Sequence, residues 1–174
     1  MGACSLALSA GCFSAASDGG PYKEPSGAGE SARCITPEEA ARLSDQVLHL
    51  VNLERAAEGV APLVANPALE RIAEDYACRM IDASFFDHVD PGTGYGPGER
   101  AVAGRYAYYA IGENLAAGLE SPAEVMAVWM ESASHRANIL DPSWKEIGVA
   151  VRSGGEYDIY WVQEFGQPAG SREP

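Results

Sequence analysis

The sequence predicts an α+β fold. Two amphipathic stripes with helix-start signals open the ordered part of the chain, a third helix follows, and two short runs rich in β-branched and aromatic residues close it. The 174 residues, 47% of them apolar and 21% charged, leave room for one domain with a sizeable core plus a leader, and none for a second core.

Thr36-Pro37-Glu38-Glu39 places a capping hydroxyl before a proline at the first helical position, with Glu39 completing a capping box. A helix is therefore predicted over 37–58, with Leu43, Val47, Leu50 and Val51 on one face and Gly59 as its stop. Asn66-Pro67 repeats the start signal, and Leu69, Ile72, Ala73, Tyr76, Ala77 and Met80 form the stripe of a second helix. Cys78 lies nine residues past Leu69, about 180° round the helix, so it faces away from the core. Residues 90–109, rich in Gly, Pro and Tyr and without either period, read as a long structured loop. Ser121-Pro122-Ala123-Glu124 is a further capping box, opening a helix through Val125, Val128 and Trp129 to about Ser134; a short helical turn over 135–140 ends before Asp141-Pro142. The runs 147–152 and 157–165 read as a hairpin around Ser153-Gly154-Gly155-Glu156. In its second strand Tyr157, Ile159, Trp161 and Phe165 share a face that Gln163 interrupts. No internal repeat is present, and no apolar run approaches the roughly 20 residues of a spanning helix.

The expected layout is a leader over 1–12, a flexible Ser/Gly/Pro-rich tether over 13–34, a domain over 35–168 and a tail over 169–174. In the leader, Leu6, Ala7 and Leu8 precede Ser9, Ala10, Gly11 and Cys12, which resembles the end of a bacterial lipoprotein signal and makes Cys12 the lipidation candidate. The match is partial: no Lys or Arg precedes the apolar run, and Ser9 stands where such signals prefer an aliphatic residue. The alternative is an alanine-rich leader with no such meaning. Export to the cell envelope or the extracellular space, as a secreted or lipid-anchored protein, is the expectation. With Cys4 and Cys12 in the leader, Cys34 and Cys78 remain as an even pair: a disulfide in an oxidising compartment, two ordinary thiols in the cytosol. Neither CxxC nor Cys/His ligand spacing occurs, which argues against a cysteine-based zinc site. The net charge of −13, with Lys23 and Lys145 as the only lysines against 25 acidic residues, lacks the basic patch that nucleic-acid binding needs.

Of three histidines, His49 lies inside the first helix beside Leu48 and Leu50 and reads as a surface or hydrogen-bonded side chain. His88 follows Phe85-Phe86-Asp87 at a helix-to-loop transition, and His135 sits four residues after Glu131. On one continuous helix Glu131 and His135 share a face, able to hold a metal ion or a proton between them; the spacing alone is a weak signal.

An ordered set of segments adds to it: Asn52-Leu53-Glu54-Arg55; Pro62-Leu63 before Asn66-Pro67; Phe86-Asp87-His88; Gly112-Glu113-Asn114-Leu115; the run from Trp129 through Glu131, Ser134, His135, Arg136 and Asn138 to Leu140; Ile147-Gly148-Val149-Ala150; and Trp161-Val162-Gln163-Glu164-Phe165-Gly166. Together they resemble the bacterial branch of the CAP superfamily, the cysteine-rich secretory and pathogenesis-related proteins with an SCP domain. The resemblance spans roughly 43–166. It implies an α-β-α sandwich with a cleft lined by two His and two Glu, in which His88, Glu113 and His135 match by motif. Glu131 stands two residues after Trp129, where the eukaryotic pattern has Glu three residues after, and the offset turns a helical side chain by about 100°; its relation to His135 argues the other way, and both placements stay open. Asn52, Arg55, Asn114, Arg136 and Asn138 are expected to bond loops and helix ends, and Trp129, Trp144 and Trp161 to pack.

The resemblance implies a binding module for a peptide, protein, lipid or envelope component, with His88 and His135 as ligands if zinc or another divalent metal takes part. A metal-dependent hydrolase using the same cleft is the competing reading. No nucleophile elbow, HExxH helix or Ser/His/Asp set supports it, and Ser134, adjacent to His135, points about 100° away on a helix. A monomer is the expected state.

Overall fold

The computed structural model describes residues 33–170. The leader with Cys4 and Cys12, nearly all of the tether and the last four residues of the tail lie outside the described residues.

The first helix, α1 (Ala40–Ala57), begins three residues later than the sequence suggests. Ile35 bridges Ser153 with reciprocal backbone hydrogen bonds of 2.8 and 2.9 Å, which holds the incoming chain extended against the sheet. Glu39 then bonds Arg42 rather than completing a box with Thr36, so that capping box does not form. Gly59, at φ +71°, ends the helix as expected. A two-residue strand, β1 (Val64–Ala65), precedes α2 (Pro67–Asp82), whose Asn66 cap accepts from the amides of Ala68 and Leu69 at 2.8 and 3.4 Å.

Two elements occupy the stretch read as loop. Gly96-Pro97 starts the short helix α3 (Pro97–Ala103), with the Glu99 carboxylate accepting from the Gly96 amide at 3.0 Å. The strand β2 (Tyr108–Ala117) follows, so the strands are not confined to the end of the chain. The capping box of Ser121 and Glu124 forms and opens α4 (Pro122–Glu131). That helix stops at Ser132, whose ψ of 122° is extended, and α5 (Ala133–Leu140) sets off anew. The expected hairpin closes the fold as β3 (Glu146–Ser153) and β4 (Ile159–Pro168).

The sheet has the order β1-β3-β4-β2, with β1 parallel to β3 and the other pairs antiparallel. Its two faces carry separate cores. On one, Tyr76, Ala77, Met80 and Ile81 of α2 meet Leu115, Ala150, Tyr160 and Val162, and Ala101 of α3 joins Leu69 and Ile72 alongside. On the other, Val47 and Val51 of α1, Trp129 of α4 and Ile139 of α5 meet Val149, Val151, Trp161 and Phe165. The α-β-α sandwich is thus realised, with α2 and α3 over one face and α1, α4 and α5 over the other.

The pairs expected to be structural behave so. Asn52 exchanges hydrogen bonds with both backbone groups of Leu63, and Arg55, fully buried, donates to the carbonyls of Ala61, Ile139 and Asp141. Trp129 and Trp161 donate their indole N–H to Leu115 and Leu119 carbonyls, and Trp144 is buried beside Phe165. His49 is exposed. Cys34 and Cys78 form a disulfide, Cα to Cα 5.0 Å; Cys78 is half-buried and Cys34 packs against the apolar cluster between α2 and the sheet, so the bridge is not turned fully away from the core as the rotation argument suggests.

Gly148 tests the seam between α2 and the sheet, because a Cβ there would lie 2.1 Å from the Leu69 carbonyl carbon and 2.3 Å from the Glu70 amide. Backbone cannot yield as a side chain can, so Gly148→Ala is expected to cost about 3 kcal/mol or more in urea unfolding. Cys34→Ala with Cys78→Ala is expected to cost about 2–4 kcal/mol in the same measurement, through the 44-residue loop released in the unfolded chain.

Candidate functional site

β2 is an edge strand, and the period of two sends Glu113 to the α2 face together with Leu115, and Asn114 to the α1 face. The edge therefore offers a carboxylate on one side and an amide on the other, and each helical layer sends a histidine towards it.

His88 comes from the segment that follows α2. Ser84, at φ +53°, turns the chain; Phe85 packs edge-on against Tyr76, and the Tyr76 hydroxyl donates to the Asp87 carbonyl. Arg100 Nη1 donates to the His88 carbonyl at 2.9 Å and to the Tyr95 carbonyl at 3.1 Å. Held at its backbone, His88 directs Nδ1 to Glu113 Oε1 at 2.7 Å, while half of its side chain remains exposed. A carboxylate only accepts, so Nδ1 carries the hydrogen in this contact and Nε2 is the ring nitrogen not bonded to Glu113.

His135 comes from the opposite layer. Asn114 Nδ2 donates to its carbonyl at 3.2 Å and to Gln163 Oε1 at 3.0 Å, while Asn138 Nδ2 donates to the Glu113 carbonyl and to Asn114 Oδ1, both at 3.0 Å. These amides stitch α5 to the edge of β2. The His135 Nδ1 is buried without a hydrogen-bond partner. Burial first, and the neighbouring His88 second, hold its pKa below the ordinary histidine value of 6.5.

The sequence reading missed two residues of this cluster. Arg100 Nη2 forms a salt bridge with Glu113 Oε2, and its guanidinium lies 3.3 Å from the centre of the Tyr76 ring. Glu164, opposite Glu113 in the register of β2 and β4, has no exposed surface; Arg100 Nη2 stands 3.7 Å from its Oε1, and neither carboxylate oxygen has a hydrogen-bond partner. Burial, and then the Glu113 charge, raise its pKa well above the carboxylate range, with Arg100 opposing. A signal for each was present in the sequence: Gly96-Pro97 with Glu99 is a helix start placing Arg100 one turn in, and Glu164 is an acid, beside Gln163, inside a run of apolar and aromatic strand residues.

Glu131 is not brought to this cluster. The break at Ser132 ends its helix before His135, so the four-residue spacing never becomes a shared face. Glu131 is exposed and lines a separate cavity of about 420 Å³ with Leu119, Glu120, Glu124 and Val128.

The donor set does not suit a divalent metal. Both oxygens of Glu113 are taken, one by a cation, and the ring nitrogens free of Glu113 are His88 Nε2 and those of His135. Among the described residues no group of three or more His, Cys, Asp or Glu is arranged to hold an ion. Ser134, adjacent to His135 in sequence, is exposed and its Oγ lies 3.2 Å from that of Ser132.

Residues 48–165 match the cysteine-rich secretory protein family, CAP. The chain is 34% identical over 129 residues to the Bacillus subtilis protein YkwD and 29% identical over 121 residues to the B. subtilis membrane protein YlbC. These alignments cover 74% and 69% of the chain but 49% and 33% of the relatives, so the chain spans half or less of their length. Among solved structures, an extracellular SCP-domain protein from Bacillus anthracis superposes with a TM-score of 0.68 at 26% identity, over 76% of this chain and 44% of that one. An outer surface protein from Borrelia burgdorferi gives 0.69 at 20% identity, over 79% and 98%. With the matched segment covering both helical layers and all but the ends of the sheet, the chain belongs to the cysteine-rich secretory protein family and carries its CAP domain.

Proposed function

We propose that this CAP domain is an exported binding module whose cleft of His88, Glu113 and His135 recognises a polar group on a peptide, protein, lipid or envelope component. The observation that carries this reading is that each helical layer brings an imidazole to one edge of the sheet: His88 bonds the buried, charge-paired Glu113, and His135 lies close enough to His88 to feel its charge. Such a cleft is preorganised, so little ordering cost opposes a ligand. Export is supported by the extracellular and outer-surface relatives and by the Cys34–Cys78 disulfide. No described helix is long and apolar enough to cross a membrane; anchoring through Cys12 is part of the proposal, and the domain acts as a monomer.

If a metal took part, His88 and His135 would hold it and it would supply Lewis acidity for hydrolysis. The pairing of Glu113 with Arg100 favours the metal-free reading, since a cation at that carboxylate opposes a second one.

Zinc titrated calorimetrically into the full chain is expected to give no uptake that His88→Ala or His135→Ala removes; uptake lost in both variants would replace this reading with a metal site. A panel of small alcohols, amines and carboxylates followed by NMR is expected to move the His88 and His135 ring signals in the wild type and leave both alanine variants unaffected. If no compound moves them, or the variants respond alike, the cleft is not the binding site.

Because the folded pKa of His135 lies below 6.5, the unfolded chain binds the proton first as pH falls. Stability linked to this group is full above 6.5 and declines below it. Unfolding free energies of the wild type and His135→Gln between pH 8 and 5 are expected to converge or cross as pH drops, with the wild type losing more.

A further inference from the structure

Behind the cleft lies a group that the binding reading leaves unused. Glu164 sits opposite Glu113 on neighbouring strands, both on the α2 face of the sheet, and among the described residues Arg100 is the one guanidinium or ammonium paired with either. Arg100 is already engaged by Glu113, at hydrogen-bonding distance against 3.7 Å for Glu164. Ionised, Glu164 is a second buried anion with no donor of its own, against a single guanidinium.

The other groups on the elements packed here do not supply the missing charge. Tyr76 of α2 stacks on Arg100 and gives its hydroxyl to Asp87; Tyr106, before β2, gives its hydroxyl to Glu146 of β3; and Gly148, the β3 partner of Glu164, has no side chain. His88 reaches Glu113 and not Glu164.

We infer that Glu164 is a positioning residue of the cleft: a neutral interior acid that gives its hydrogen to Glu113 and thereby fixes which face of His88 the cleft presents. Glu113 then remains the lone anion, accepting from Arg100, His88 and Glu164 together. His88 is locked with Nδ1–H towards Glu113 and Nε2 outward as an acceptor. Ligand groups that donate a hydrogen, hydroxyl or ammonium, are selected over carboxylates. The direction in which burial drives the Glu164 carboxyl agrees with this assignment. The ligand class rests on the binding role proposed above; the state of Glu164 and the His88 tautomer do not.

The test is NMR of the ¹³C,¹⁵N-labelled full chain with no ligand added, at neutral pH. Expected are a Glu164 side-chain carboxyl carbon at the position of the acid, and a His88 ring carrying its hydrogen on Nδ1. Glu164→Gln, which still donates, is expected to keep that tautomer, and Glu164→Leu to lose it. A Glu164 carbon at the carboxylate position, or an unchanged tautomer in Glu164→Leu, overturns the inference. Should the leucine variant not fold, the wild-type carboxyl signal decides. Ethanolamine added afterwards is expected to move the His88 Nε2 signal and acetate not to; the reverse order overturns the acceptor assignment. Because the first readings are made without ligand, they separate this inference from a failure of the cleft to bind anything.

Discussion

The positive charge of Arg100 is the constraint around which the cluster of Tyr76, His88, Glu113 and Glu164 is built. Two carboxylates, Glu113 and Glu164, are buried side by side on the sheet, and a low-dielectric interior does not tolerate both as unpaired anions. One guanidinium, flattened on the Tyr76 ring and bonded to Glu113, neutralises one of them and ties the segment after α2 to the sheet through the carbonyls of His88 and Tyr95. The planar fork of an arginine makes these bonds at once, where the point charge of a lysine would not. The position of His88 and its contact with Glu113 both descend from that arrangement.

A second constraint acts across the edge strand. Asn114, Gln163 and Asn138 are buried polar groups whose hydrogen bonds run from β4 through β2 to α5. Because each leaves a desolvated amide if its partner is removed, the set fixes where α5 lies. The extended backbone at Ser132 is what lets α5 turn away from α4 and reach that edge. One device thus explains both why His135 reaches the edge of β2 and why Glu131 does not.

The two histidines are therefore held by different chemistry. An ion-pair cluster on the α2 face holds His88, and a neutral amide network on the α1 face holds His135. The proposed site lies where the two faces meet at the edge strand β2. Elsewhere, apolar clusters on the two faces pack the helical layers against the sheet, and the disulfide ties the segment before α1 to α2.

What the sequence by itself determined is the part written in local and periodic signals. The stripe from Leu69 to Met80, the caps at Asn66 and Ser121, the stop at Gly59 and the final hairpin are each decided by neighbours within a few residues, and each is present. The ordered family motifs added His88, Glu113 and His135, and the structure brings those three together. Tertiary structure alone decided the rest. The strand β2 lacks an alternating pattern because its polar residues are buried on both faces and satisfied by distant partners. The capping box at Thr36 gave way because Ile35 was already held by Ser153, far along the chain. Glu131 and His135, four apart in sequence, were separated by a break that α5 needs in order to reach β2. Arg100 and Glu164 entered the site because charges buried by a fold must find one another, and that pairing is settled by proximity in space rather than by spacing along the chain.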